Sequence, residues 1–509
     1  MIKTLPALAS RLSLKKNEMV AQVFGGKGIA FFWQQYFLPR WLPLLLGLGL
    51  GVFIASLVVN RAWYLAVPIA LAVPLVILFM RYPFSAIFLW ILLVPYFVVV
   101  PTMAERYIFW ILYRSMLPTV LLLMILSNMV GLRKSRPMHL GRAELAMLIF
   151  LGLTLVNIYT VGSDTKKDFI NFYENLFIPF CLYWLIRLNA PTKRDFKILL
   201  WAVLPALVFQ CVIGQLTWFA PGNLPEKWLG LEGARTVGTL RNVAVYTSFL
   251  MLLGLLLFNY AMTSASTWLK PVLIIIFGLA LYNVFMSFSR GSWLGELLVV
   301  VGLLFLYPRV ILNTVITVLV IIIILGNSIL ASQVDWAMER LNDEDTANGR
   351  IIGNTASMRM IEAKPLTGWG WGNYDRYNVS FKTRVGDIAI DTKGTSHNTY
   401  LSIMAELGLP TFLLYMFPVG WWFYLSLKVW RHLPPRNLLG SRLLIMLWLL
   451  MLHIFVVTNF MDMIRFHPFG TSIWWMTLGL IASIVQPYLK PGDIGAPQWA
   501  HQATQNAAL

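Results

Sequence analysis

Charge is scarce in this sequence. Only 12% of its 509 residues are Asp, Glu, Lys or Arg, where a soluble chain carries about a quarter. Cysteine is scarcer still: Cys181 and Cys211 are the whole complement, each inside an apolar run. That argues against a structural disulfide or a thiolate metal site. The chain has no CxxC, no HExxH and no GxxxxGK[ST], so neither tightly bound zinc nor ATP hydrolysis is expected. Short alternating strands, the mark of a transmembrane barrel, are missing. The first 40 residues lack an apolar core followed by a small-residue cleavage site, so no cleavable signal peptide is expected.

What remains is apolar. Hydrophobic residues make up 58% of the chain, and runs of roughly 20 recur from Trp41 to Val485, the length that crosses a bilayer as a helix. A helix satisfies its own backbone hydrogen bonds, which lipid cannot do. The expected fold class is therefore all-α: a polytopic transmembrane bundle of about 12–14 spans with one large extracytoplasmic loop between late spans. The spans read as 41–59, 63–80, 84–101, 115–131, 143–160, 169–186, 198–219, 243–259, 271–288, 293–307, 310–329, 398–427, 443–459 and 471–487. The long one from 398 is expected to be a short re-entrant or interfacial piece followed by a true span.

Basic residues outnumber acidic ones by 40 to 22, a net charge of +18. With both termini on one side, the basic loops 131–142, 187–197 and 428–442 all fall on that side too. The positive-inside rule makes it the cytoplasm, and no nucleic-acid partner is needed to explain the charge. The outer face then owns 220–242, the turn Ser289-Arg290-Gly291, the loop 331–397 and 460–470. The expected organisation is a basic interfacial segment over 1–40, leading spans over 41–142, a catalytic region over 143–487 and a cytoplasmic tail over 488–509.

The polar stretch from Ala331 to Ser396 stands apart from these spans. It carries Arg340, Arg350, Arg359 and the run Gly368-Trp369-Gly370-Trp371-Gly372, and it leads into His397-Asn398. An arginine at mid-membrane costs about 2.5–3.5 kcal/mol, and less near the interface. Arg235, Arg290 and Arg350 at one face therefore point to an anionic ligand, whose phosphate oxygens a planar guanidinium grips in pairs. Snorkelling or local pairing competes with that reading for each arginine. An imidazole at His397 can take a proton from a hydroxyl, and a desolvated site would tune it. Ser396 is the expected cap of the helix after it. Gly368 and Gly370 allow close backbone approach, and the neighbouring indoles are expected to stack on sugar or anchor at the interface. Asp462 lies at an outer helix end. Arg114, Glu174, Glu296 and Glu406 fall within or beside spans, where ionisable groups pair or line wet cavities. Glu406 sits too far along its helix to touch His397 and is expected to position or pack.

Several of these motifs together resemble the O-antigen ligase and polymerase superfamily. His397-Asn398, nine residues, then Gly408 is similar to its H-[NSQ]-x9-G-x-x-G signature, with Thr411 in place of the last glycine. Ser289-Arg290-Gly291 resembles its SRG turn, and Arg235-x-x-Gly238 the arginine before its middle spans. Gly349-Arg350, with Pro365-Leu366-Thr367-Gly368-Trp369-Gly370, resembles its loop glycines. The resemblance covers roughly 143–487.

It implies a metal-independent, inverting membrane glycosyltransferase without cofactor. The donor would be a glycan on undecaprenyl pyrophosphate at the outer face of the bacterial inner membrane, and the acceptor a glycan or lipid-linked glycan. His397 would be the catalytic base or orienting group. Arg235, Arg350 and Arg290 would hold the pyrophosphate, supported by Asn398, Asp462, Gly368 and Gly370. A transporter and a non-catalytic partner of glycan export stand as alternatives.

Overall fold

The computed structural model describes residues 74–129, 140–230, 235–325, 331–342, 344–383, 396–463, 467–489 and 493. The interfacial segment expected over 1–40, the span at 41–59, most of that at 63–80, most of the basic loop 131–142 and nearly all of the tail lie outside the described residues. The chain divides into two units, 1–78 and 79–509. Of the first only 74–78 are described, and they are helical. All other described residues belong to the second.

This second unit is a helical bundle, with no strand among the described residues. In order the helices are α1 (Ser85–Leu93), α2 (Met103–Met129), α3 (Arg142–Val161), α4 (Thr165–Asn189), α5 (Lys193–Phe219) and α6 (Val243–Thr263). Then come α7 (Leu269–Phe285), α8 (Arg290–Leu306), α9 (Pro308–Leu325), α10 (Ala331–Asn342) and α11 (Glu344–Ala363). The last three are α12 (Thr399–Val429), α13 (Ser441–Phe460) and α14 (Pro468–Val485). Among the described residues, eight helices are long and apolar enough to cross a membrane: α2 to α6 and α12 to α14. The protein is thus a multi-pass membrane protein.

Loop polar residues start these helices. Thr102 with Glu105, and Thr192 with Asp195, form capping boxes on α2 and α5. The side chains of Asp164, Asn242 and Ser289 cap α4, α6 and α8. Each satisfies amide donors that a helix leaves open at its start. The apolar window of α6 is 94% buried, as is that of α14, so these two form the centre. Around them α4 packs on α14, α7 on α6, α8 on α13 and α3 on α12.

One end of the bundle is locked by a buried carboxylate. Glu144 accepts from the Gly141 amide at 2.6 Å and from the Tyr183 hydroxyl at 2.7 Å, and it forms an ion pair with Arg187, Nε to Oε1 3.1 Å. Trp422 Nε1 donates to the Tyr183 hydroxyl at 2.7 Å. The network ties α3, α4 and α12 together next to two of the basic loops. Asn259 adds a bond to the Leu438 carbonyl at 3.0 Å, joining the foot of α6 to the α12–α13 connection.

The polar stretch after position 331 is largely helical in α10 and α11, not an open loop. One face of α10 is inside, with Gln333 and Ala337 buried and Trp336 against Trp218 and Phe288. The long helix α12 is two pieces: Gly408 (φ 79°, ψ 166°) interrupts it, where a short leading piece followed by a true span was expected.

Candidate functional site

His397 is built on the turn that enters α12. Its φ is +52°, a left-handed conformation uncommon outside glycine but more accessible to His, Asn and Asp. The residue is exposed, between buried Ser396 and Asn398. The surroundings are therefore wetter than the desolvated site expected. The cap of α12 is also not Ser396. Asn398 Oδ1 accepts from the amides of Tyr400 and Leu401 at 3.0 and 3.1 Å. Ser396 instead bonds Asn398, its Oγ accepting from the amide at 3.1 Å and donating to the carbonyl at 2.8 Å. The two side chains together fix the turn that presents the imidazole.

The end of α13 clamps this turn from the other side. Asn398 Nδ2 donates to Asn459 Oδ1 at 3.2 Å. Ser402 Oγ donates to Asp462 Oδ2 at 2.7 Å, and the Met463 amide donates to Thr399 Oγ1 at 3.0 Å. Asp462 is 4% exposed; it holds the first turn of α12 against the segment after α13.

Phe460 then links this corner to two arginine segments. The Arg350 guanidinium lies over its ring, 5.5 Å from the centroid. Gly291, next to Arg290, rests against the same ring. Positions 291, 350, 398 and 460 thus meet at one end of the bundle, although α8, α11, α12 and α13 supply them separately. Arg235 is held elsewhere on that end. The Thr236 amide donates to the Met286 carbonyl at 3.3 Å and its hydroxyl to the Asn283 carbonyl at 3.2 Å, so buried Arg235 stands beside the α7–α8 turn that leads to Arg290. The arginine that the sequence placed first in the site thus lies next to a residue tied to the end of α7.

The glycine run supports the corner by backbone contact. The amides of Trp369 and Gly370 donate to the Ala405 and Glu406 carbonyls at 3.0 and 2.9 Å, and that of Leu409 to the Pro365 carbonyl at 2.8 Å. Glu406 Oε1 accepts from the Tyr374 amide at 2.9 Å, the positioning role expected of it. Asn157 of α3 brackets the run, donating to the Thr367 carbonyl at 2.9 Å and accepting from the Trp371 amide at 2.8 Å. The two indoles are placed differently. Trp371 is fully buried. Trp369 bonds the Met360 carbonyl at 2.9 Å and packs against Tyr377 and Phe381 under Lys364. Packing thus took up the Trp371 ring, and protein partners contact the half-buried Trp369.

Asn157, Asn459 and Phe460 escaped the sequence reading. The two asparagines had a signal, an amide within an apolar run, where an unbonded polar group is costly. Phe460 had none.

No curated protein matches the chain. The stretch from α7 to just past the Gly408 break, which contains Arg290, Arg350, Gly368, Gly370, His397 and Asn398 but not Arg235 or Asp462, is a different matter. Residues 275–416 match the family model described as O-Antigen ligase, which supports the O-antigen ligase superfamily for this chain and, in general terms, a membrane enzyme of that kind.

Proposed function

We propose that the protein transfers a glycan from an undecaprenyl-pyrophosphate donor to a glycan or lipid-linked acceptor at the outer face of the bacterial inner membrane. The observation that carries this reading is the shared Phe460 corner, which sets Arg350 and the Arg290 turn beside the Asn398–Asn459 bond at the His397 turn. In the reaction the acceptor hydroxyl attacks the anomeric carbon as the bond to the diphosphate oxygen breaks, with inversion. His397 takes the hydroxyl proton. Arg350 and Arg290, with Arg235 behind the same turn, stabilise the negative charge that grows on the leaving diphosphate. Guanidiniums aimed in advance need no reorganisation as that charge develops. This set of residues needs no metal for the displacement, and the phosphate-linked donor supplies the driving force.

A transfer assay with purified full-length protein and a lipid-linked glycan tests this. His397→Ala should lower the rate by about 10²–10⁴-fold, the range of general-base catalysis. Arg350→Lys should restore little of what Arg350→Ala loses, because an ammonium lacks the bidentate fork. Folded His397→Ala and Arg350→Ala proteins as active as the parent would overturn the assignment. The transporter reading leaned on ionisable groups within spans. Arg114 and Glu174 now pair with each other, which removes much of its support.

A further inference from the structure

A cavity of about 550 Å³ lies apart from the His397 corner, within the roughly 300–1,000 Å³ typical of small-molecule sites. Its polar lining is Glu174, Arg241 and His467, and among its apolar walls are Val99, Phe109 and Phe469. Two features mark it as built. The first is a pair of π-helical turns, Trp110–Ser115 in α2 and Tyr173–Phe177 in α4, a geometry that is rare and recurs at functional sites. They face each other reciprocally: Tyr113 donates to the Glu174 carbonyl at 3.0 Å and Tyr173 to the Arg114 carbonyl at 2.7 Å. The Arg114–Glu174 ion pair crosses between them. Carbonyls that a widened turn leaves open are thus satisfied, and Glu174 is fixed at the cavity wall.

The second feature is a defined imidazole. Asn242 Oδ1 accepts from the Val245 amide at 3.0 Å, which orients its Nδ2 toward His467 Nε2, 2.6 Å away. That Nε2 is then an acceptor, and the proton of the neutral ring sits on Nδ1. Arg241 makes no ion pair among the described residues; it is exposed and holds φ at +55°. The cavity is therefore lined by a guanidinium, an imidazole and a carboxylate paired with Arg114, between aromatic walls. The Glu174 charge is balanced by Arg114, so the lining carries one net positive charge, on Arg241, which disfavours a cation. A ring carrying hydroxyls on its rim and C–H groups on its faces fits both the polar and the aromatic surfaces.

We propose that this cavity binds a sugar ring of the acceptor glycan through its hydroxyls. The proposal rests on the transfer reaction above and gives its acceptor a place. The lining is linked to the proposed site through the chain: Arg241 follows Arg235 on one segment, and the His467 amide donates to the Met463 carbonyl at 3.0 Å. Met463 in turn donates to Thr399, two positions from His397.

Saturation-transfer NMR on the full chain in detergent tests it, with free glucose, galactose, mannose and N-acetylglucosamine as probes and inorganic pyrophosphate as competitor. At least one sugar should give a signal that falls about tenfold in Val99→Trp, which fills the cavity, and in Arg241→Gly, which removes a charged donor and relaxes the backbone. The signal should persist in Arg350→Ala and in the presence of pyrophosphate. No sugar signal in the parent, a signal untouched by both variants, or displacement by pyrophosphate would each overturn the proposal. Failure of the reaction assignment is separately visible. In that case Arg350→Ala and His397→Ala keep transfer activity while the sugar pattern stands.

Discussion

The carbonyl of Leu366 lies where a side chain on Gly408 would have to begin. The relation is mutual, because a side chain on Gly368 would begin at the Glu406 carbonyl. Two backbones, one from the segment after α11 and one from the break in α12, press directly on each other. The helix breaks at Gly408 so that this segment can dock, and the docked segment holds the first piece of α12 that carries the His397 turn.

Gly408→Ala should therefore destabilise the protein by at least ~2 kcal/mol, from a backbone region open essentially to glycine alone and from the clash. Gly368→Ala should act on the same contact. The double variant should then lose clearly less than the two single losses added together, since both disrupt one interface. Thermal unfolding of the purified variants measures this. Simple additivity would mean that the contacts are independent.

Glu144→Gln should cost about 3–5 kcal/mol, because it takes the paired carboxylate away from the charge on fully buried Arg187. Adding Arg187→Met should recover a good part of that loss. The check is the unfolding midpoint of single and double variants. A double variant no more stable than Glu144→Gln would show that the ion pair itself, not the stranded charge, matters.

Burial lowers the pKa of His467 from 6.5 to about 4. The folded protein thus keeps this ring neutral where the unfolded chain protonates it. Its contribution is intact above pH 6.5 and falls as the pH drops from 6.5 toward 4. The full loss is up to ~3 kcal/mol. His467→Gln should remove that part of the acid sensitivity. Identical pH–stability curves for parent and variant would contradict it.

Cysteine labelling tests the orientation. Asn223 and Arg436 are exposed at opposite ends of the bundle, and native Cys181 and Cys211 are buried, which keeps the background low. A membrane-impermeant maleimide should reach Asn223→Cys from outside intact spheroplasts, and Arg436→Cys only after permeabilisation. The reverse pattern would invert the proposed topology.

The chain of residues by itself determined the helices, the membrane and the loop residues that cap α2, α5 and α8. These depend on neighbours within a few positions: apolar length, and side chains that reach amides two or three residues on. It also pointed to the interruption after His397. Tertiary structure alone decided that Gly368 docks at that interruption and that Trp371 disappears into the core. It likewise decided that Arg114 meets Glu174 and that Arg350 lies over the Phe460 ring beside the His397 corner. Those outcomes depend on helices far apart in sequence finding one another. A helix closes its backbone hydrogen bonds within one segment, whereas a side chain's partner is chosen only when the bundle packs.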